Sequence, residues 1–124
     1  MRALHLIDSI TEITPAMSGA VIVSGSHGGR SVSVYALGIQ PPPHAVFFND
    51  AGIGKDRAGI VALDHLEQAG VICATYSHDS ARIGEAEDGL QHGVISAINR
   101  QAKAVGLVPG QTVRQATERL RETT

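Results

Sequence analysis

Three apolar runs in this chain each end directly in a cluster of glycine and polar residues. The runs cover 20–23, 45–48 and 71–76, and the clusters that follow them cover 24–29, 49–56 and 77–84. Short apolar runs without alternation are typical of strands that are covered on both faces in a parallel sheet. The carboxyl ends of such strands meet at one edge, where α/β proteins bind ligands. The sequence therefore predicts that the three polar clusters meet at one edge of a sheet.

The segments between these runs predict helices. Strands over 20–24, 45–49 and 71–76 alternate with helices over 30–37, 57–69 and 90–105, and residues 4–13 are expected to form a short helix or a turn-rich arm. Thr112 and Gln115 have the spacing of a capping box and predict a last helix. We expect an α/β fold: a small single-domain three-layer sandwich, Rossmann- or flavodoxin-like, with a mainly parallel sheet of about three strands and helices on both faces. Its parts would be an N-terminal helical arm (1–18), a βαβαβα core (19–107) and a C-terminal helix (108–124).

Composition argues against several classes of function. The chain has 124 residues, a net charge of −2, two Phe, two Tyr and no Trp, so it offers neither a basic surface nor a stacking platform for nucleic acid. It has no stretch of the roughly 18 apolar residues that a membrane-spanning helix needs. A single cysteine excludes an internal disulfide. We expect a cytoplasmic protein that binds neither nucleic acid nor a membrane.

The first cluster, which runs from Ser24 to Gly29, is glycine-rich and joins a strand to a predicted helix. Backbone amides of Gly28 and Gly29 are candidates to stabilise an oxyanion, and Ser26 is a candidate substrate contact. His27 is a candidate acid–base group. The alternative is a tight turn in which His27 has no function. The cluster matches neither the dinucleotide fingerprint nor the Walker pattern.

The second cluster contains Asn49, Asp50, Lys55 and Asp56. Asp50 ends a strand and is placed either to orient a histidine or only to shape a turn. Asn49 and Lys55 are candidate substrate contacts, although Lys55 is also typical of a solvated loop. Asp56 is expected to cap the helix that follows.

The third cluster packs a histidine, a carboxylate, two hydroxyls and a guanidinium into residues 77–82. His78 suits proton transfer near neutral pH, and Asp79 is a candidate to orient it. Ser80 is a candidate substrate contact, and Arg82 is suited to hold a carboxylate or phosphate. The alternative is a surface turn in which Arg82 pairs with a nearby glutamate. Cys73, inside an apolar run, is expected to be a small buried hydrophobic group.

Three hypotheses of function follow. The first is a small enzyme that uses His27, His78, Asp50 and Asp79 for general acid–base chemistry on a small anionic or carbonyl-containing substrate, as an amide or ester hydrolase, an isomerase or a lyase. The second is a metal-dependent hydrolase in which some of these four side chains bind a divalent cation, although no other cofactor is indicated. The third is a non-catalytic ligand-binding module or an accessory subunit of a larger complex. Because a narrow sheet buries little surface, we also expect a homo-oligomer.

Overall fold

The computed structural model describes residues 1–123, which form an α/β fold around one five-stranded sheet. The strands are β1 (Leu4–Ile7), β2 (Val21–His27), β3 (Ala45–Asn49), β4 (Ile72–Tyr76) and β5 (Ile95–Ile98). They lie side by side in chain order, with β1 to β4 parallel and β5 antiparallel to β4. The sheet is therefore mixed. Its order lacks the reversal that creates a ligand crevice in Rossmann and flavodoxin sheets.

Within residues 1–123, five α-helices accompany the strands. They are α1 (Val32–Leu37), α2 (Ala62–Gln68), α3 (Ala86–His92), α4 (Arg100–Ala104) and α5 (Val113–Arg121). Short 3-10 helices cover Ile10–Glu12, Pro15–Met17 and Lys55–Ile60. Thr112 and Gln115 make both hydrogen bonds of the predicted capping box at the start of α5. Thr124, the last residue of the C-terminal helix expected over 108–124, lies outside the described residues. Within residues 1–123, no helix has the length and apolar character that crossing a membrane requires.

The core divides into two hydrophobic clusters on opposite faces of the sheet. Phe47 and Phe48 are adjacent in β3 and belong to different clusters, because successive side chains of a strand point to opposite faces. The Phe47 cluster includes buried residues of α4 and α5, and the Phe48 cluster includes buried residues of α1 and α2. The strands therefore have apolar residues on both faces, as their uninterrupted apolar runs predict.

Two expected helices are wrong. The segment from 4 to 13, within the expected N-terminal helical arm (1–18), contains edge strand β1 and then a 3-10 turn that Ser9 and Glu12 cap. The long helix expected over 90–105 is instead the end of α3, strand β5 and helix α4. A Cβ on Gly93 would collide with the carbonyl of Gly89 and would lie 2.8 Å from the Val113 side chain. The chain leaves the helix at Gly93, where only a glycine fits.

Candidate functional site

The three polar clusters reach one edge of the sheet, although residues 24–27 of the first cluster form the end of β2. β2, β3 and β4 end at His27, Asn49 and Tyr76, and the register pairs His27 with Asn49 and Asn49 with Tyr76. These strands are parallel neighbours, as predicted. The third cluster does not stay above its own strand. It crosses the edge towards β1 and β2, where the Gly84 amide donates to the Gly25 carbonyl at 2.6 Å. This loop therefore forms a concave surface at the edge, which the strand order alone does not create.

Asp50 organises the centre of this edge. The residue is 3 % exposed. Its Oδ1 atom accepts hydrogen bonds from the amide of Gly52 at 2.8 Å and from the amide of His78 at 3.0 Å. One carboxylate thus fixes the turn after β3 and the start of the loop after β4. Asp50 both shapes the turn and lies next to the histidine.

His78 lies between two carboxylates. Its Nδ1 atom is 3.5 Å from Oδ1 of Asp50, and its Nε2 atom is 3.3 Å from Oδ1 of Asp79. The imidazole is half exposed, whereas the Asp50 side chain is buried and that of Asp79 is largely in solvent. The first distance is longer than a strong hydrogen bond, and such contacts often tighten only when a ligand is bound. The arrangement suits a histidine that exchanges protons with a ligand while a fixed carboxylate orients its ring.

His27 is not part of this pair. It is exposed, and its Nδ1 atom accepts a hydrogen bond from the amide of Gly29 at 3.0 Å. The amide of Gly28 donates to the carbonyl of Asn49 at 3.1 Å. Because both glycine amides already have acceptors, they are not available as the oxyanion donors that the sequence indicates. No hydrogen bond or ion pair within residues 1–123 joins His27 to His78 or to Asp50.

Three predicted substrate contacts hold the loops in place. The Oγ atom of Ser26 accepts from the amide of Ile10 at 2.9 Å. Asn49 donates through Nδ2 to the carbonyl of Ala81 at 3.0 Å. The hydroxyl of Ser80 donates to the Ser77 carbonyl at 2.8 Å and accepts from the amide of Val94 at 3.0 Å. Ser26, Asn49 and Ser80 therefore have structural hydrogen bonds that a ligand contact would have to displace.

The two predicted cationic contacts are both exposed. Lys55 begins the 3-10 turn after Gly54. Arg82 is 80 % exposed at its side chain, and its Nη1 atom lies 3.9 Å from Oε1 of Glu85. Arg82 is thus next to a glutamate, as the surface-turn alternative expects, but an exposed ion pair at this distance contributes little to stability. The expectation that Asp56 caps a helix is wrong, because Asp56 has a left-handed backbone (φ 57°) inside the 3-10 segment.

The loop after β3 has an unusual backbone. Four residues other than glycine have positive φ, between 51° and 66°: Ala51, Ile53, Asp56 and Arg57. A positive φ is especially uncommon at a β-branched residue such as Ile53. Strain of this kind costs on the order of 1–3 kcal/mol per residue and is concentrated at functional sites. Nothing in the residue types of this loop indicates it in advance.

An open depression of about 470 Å³ lies between the second and third loops, with His78 in its wall. Its other lining residues are Ala51, Arg82, Ile83 and Glu85. Neither Ile83 nor Glu85 is among the candidate site residues that the sequence indicates. A slightly larger cavity of about 510 Å³ lies between the two ends of the described chain. It is lined by none of the predicted site residues. Two depressions border His78, and we regard the larger of them, of about 470 Å³, as the candidate site.

The geometry gives little support to a metal site or to a reactive cysteine. Within residues 1–123, no three His, Cys, Asp or Glu side chains are arranged to hold a metal ion, so the ligand set of His27, Asp50, His78 and Asp79 is not assembled. Cys73 is fully buried, and burial raises the pKa of its thiol far above the ordinary range. The expectation that Cys73 is a buried apolar group is confirmed.

Comparisons with known proteins make no assignment. No protein-family model, curated protein or solved structure matches this chain. The function of the protein is therefore inferred from the geometry of the sheet edge.

Proposed function

We propose that this protein is a small enzyme in which His78 performs general acid–base catalysis on a small anionic or carbonyl-containing substrate. The observation that carries the proposal is the position of His78. It is half exposed in the wall of a depression, and its Nδ1 atom faces the buried carboxylate of Asp50. A partly exposed histidine backed by a fixed carboxylate is the arrangement that proton transfer to a bound molecule requires.

Asp50 is the orienting group of this proposal. Two backbone amides hold its carboxylate, so the position of the charge beside the ring is set by the fold. Asp79 is the second acid near His78, but its exposed side chain is free to move aside when a substrate enters. His27 has no part in the proton transfer, because its contacts are within its own turn.

The depression supports a small substrate. A volume of about 470 Å³ is within the range of roughly 300–1,000 Å³ for small-molecule sites. Arg82 supplies a cation at its wall, which suits a carboxylate or phosphate group. Hydrolysis of an amide or ester, isomerisation and elimination next to a carbonyl all use proton transfer by one histidine.

A second candidate is a non-catalytic ligand-binding module or an accessory subunit. The observation that favours it is the separation of the histidines, since His27 does not line the open depression that contains His78. A binding module needs the depression and Arg82, and it does not need the contact between His78 and Asp50. The two candidates therefore differ in what replacement of His78 does.

The test is a screen for turnover with a matched pair of variants. Wild type, His78→Gln and His92→Gln are incubated with small amides, esters and carboxylic acids, and product formation is followed by proton NMR. His92 is a fair control because it is also an exposed histidine beside a carboxylate, 2.9 Å from Asp88, and it is not in the wall of the 470 Å³ depression. We expect turnover by wild type and His92→Gln, and a loss of about 10²–10⁴-fold in His78→Gln. Equal turnover by all three proteins would remove His78 from the mechanism.

Three broader properties are part of the proposal. We assign the chain to the three-layer α/β sandwiches, with the two clusters of the core between the sheet and its helices. We place the protein in the cytosol. We also propose a homo-oligomer that joins through β1, the four-residue strand at one edge of the sheet, because unpaired strand edges pair readily with another chain. A sedimentation measurement that gives only monomer at micromolar concentration would contradict the last of these.

A further inference from the structure

Two opposite charges stand in the wall of the depression beside His78. Arg82 and Glu85 both line it, together with the apolar side chains of Ala51 and Ile83. The side chains of Arg82 and Glu85 are 80 % and 53 % exposed, and their nearest charged atoms are 3.9 Å apart. An exposed pair at this distance contributes little to stability. Its position in the wall is therefore the feature to explain.

The backbone around this pair is firmly anchored. The amide of Arg82 donates to the Asp88 carboxylate at 2.8 Å, and the amide of Gly84 donates to the carbonyl of Gly25 at 2.6 Å. A Cβ on Gly25 would lie 2.6 Å from backbone atoms of Asp8 and Gly84, so only glycine allows this approach. The loop that carries the two charges is thus fixed directly onto β2.

The charged groups themselves are not needed for this anchoring. Glu85 precedes the first turn of α3, but its side chain makes no capping hydrogen bond. The carboxylate of Asp8 caps that end of the helix instead, accepting from the amide of Ala86 at 2.9 Å. Within residues 1–123, the only carboxylate within 4.0 Å of the Arg82 guanidinium is that of Glu85. A fixed loop that presents a cation and an anion, joined to each other only by this long and exposed contact, is suited to bind a molecule that carries both charges.

We infer that the ligand of this site is a zwitterion of the α-amino acid type with a short apolar side chain. Arg82 binds its carboxylate and Glu85 binds its ammonium group, because charge-assisted hydrogen bonds are the strongest polar contacts available to each. Ile83 and Ala51 contact the apolar side chain, and His78 faces the bound molecule from the same wall. This inference rests on the proposed function for the location of the site and specifies its substrate class.

The test compares a zwitterion with two probes that each lack one of its charged groups. Norvaline carries both charges, pentanoate lacks the ammonium group, and butylamine lacks the carboxylate. Binding is measured by calorimetry to wild type, Arg82→Gln and Glu85→Gln. Arg114→Gln and Glu118→Gln are matched controls, because both residues are exposed on α5 and are absent from the depression.

We expect norvaline to bind wild type at least about tenfold more tightly than either single-charge probe, as one added charged contact predicts. Arg82→Gln lowers the affinity for norvaline and pentanoate only, and Glu85→Gln lowers the affinity for norvaline and butylamine only. The α5 variants match wild type. Pentanoate binding as tightly as norvaline, or no effect of Glu85→Gln, overturns the inference, as does failure of all three probes to bind.

Norvaline binding also separates this inference from the proposed function. If norvaline binds with the expected variant pattern and the turnover screen finds no reaction, the zwitterion site stands and the acid–base function fails. If the screen finds turnover that depends on His78 while norvaline does not bind, the reverse holds.

Discussion

Replacing Asp50 with alanine removes the group that holds the second and third loops together. Its buried Oδ1 atom accepts from the amides of Gly52 and His78 at 2.8 and 3.0 Å. Hydrogen bonds to a charged group contribute about 1.5–3 kcal/mol each. Since water can enter this edge and satisfy part of the loss, we expect Asp50→Ala to lower the free energy of unfolding by about 3–5 kcal/mol. That is a large share of the roughly 5–15 kcal/mol that stabilises a typical domain.

Asp50→Asn provides the informative comparison. The asparagine keeps an oxygen that accepts from both amides and removes only the charge, so its expected cost is about 1–2 kcal/mol. Urea unfolding of wild type, both variants and Asp64→Ala gives the four free energies. Asp64 is an exposed carboxylate on α2, and its replacement is expected to change the free energy by less than about 0.5 kcal/mol. If Asp50→Ala costs no more than Asp64→Ala, then Asp50 does not organise this edge and the account of the site is wrong.

Three further predictions concern the fold beneath the site. Burial raises the pKa of Cys73 and Tyr76 above their ordinary values of 9.0 and 10.0, so the unfolded chain loses these protons at a lower pH than the folded protein. The free energy of unfolding should therefore fall above pH 9, by up to about 1.4 kcal/mol per pH unit and group. Urea titrations between pH 7 and 11 measure it, and a constant value would refute this prediction. Asn99→Ala leaves the Cys73 amide and the Val71 carbonyl without their partners and should cost about 2–4 kcal/mol in urea unfolding, whereas a loss below that of the exposed Gln91→Ala would be contrary evidence. Gly25→Ala forces backbone atoms of Asp8 and Gly84 apart and should lower stability by about 1–3 kcal/mol; unchanged amide shifts over residues 82–86 in NMR spectra would contradict it.

The central part of the fold follows from the sequence because its signals are local. Residues 45–48 and 72–74 are consecutive apolar residues, and they form most of β3 and the first part of β4. The capping box at Thr112 and Gln115 is likewise a short-range pattern, and both of its hydrogen bonds form. Polar residues placed directly after parallel strands then reach the same edge, which is why Asp50 and His78 can be predicted to be neighbours.

The edges of the sheet do not follow from such patterns. Ile7 and Ile10 fit a helical spacing, but they belong to a strand and to a 3-10 turn that pack into the same cluster. β5 is four residues long, and its antiparallel pairing with β4 depends on contacts distant in the chain. Apolar residues from two consecutive elements can together have the spacing of a single helix, because each element buries its own apolar residues.

The wall of the depression is the least predictable part. Glu85 and Ile83 line the depression because their loop crosses to β2 and is fixed there by the contact of Gly84 with Gly25. The course of this loop depends on the close approach of the Gly84 and Gly25 backbones, which are distant in the sequence. His27, in contrast, lies in a glycine-rich cluster that indicates a functional loop, yet its Nδ1 atom accepts a hydrogen bond from an amide of its own turn. Residue types indicate the edge, and the route of one loop determines which side chains share the cavity.

The most direct test of the central claim is a double-mutant cycle on His78 and Asp50. The quantity measured is kcat/KM for wild type, Asp50→Asn, His78→Gln and the double variant, with the substrate that the turnover screen identifies. Residues that act as one unit have strongly non-additive effects. We predict that the double variant is within about threefold of His78→Gln alone. Losses that multiply in full would show that the two residues act independently and would contradict the proposal that Asp50 orients His78.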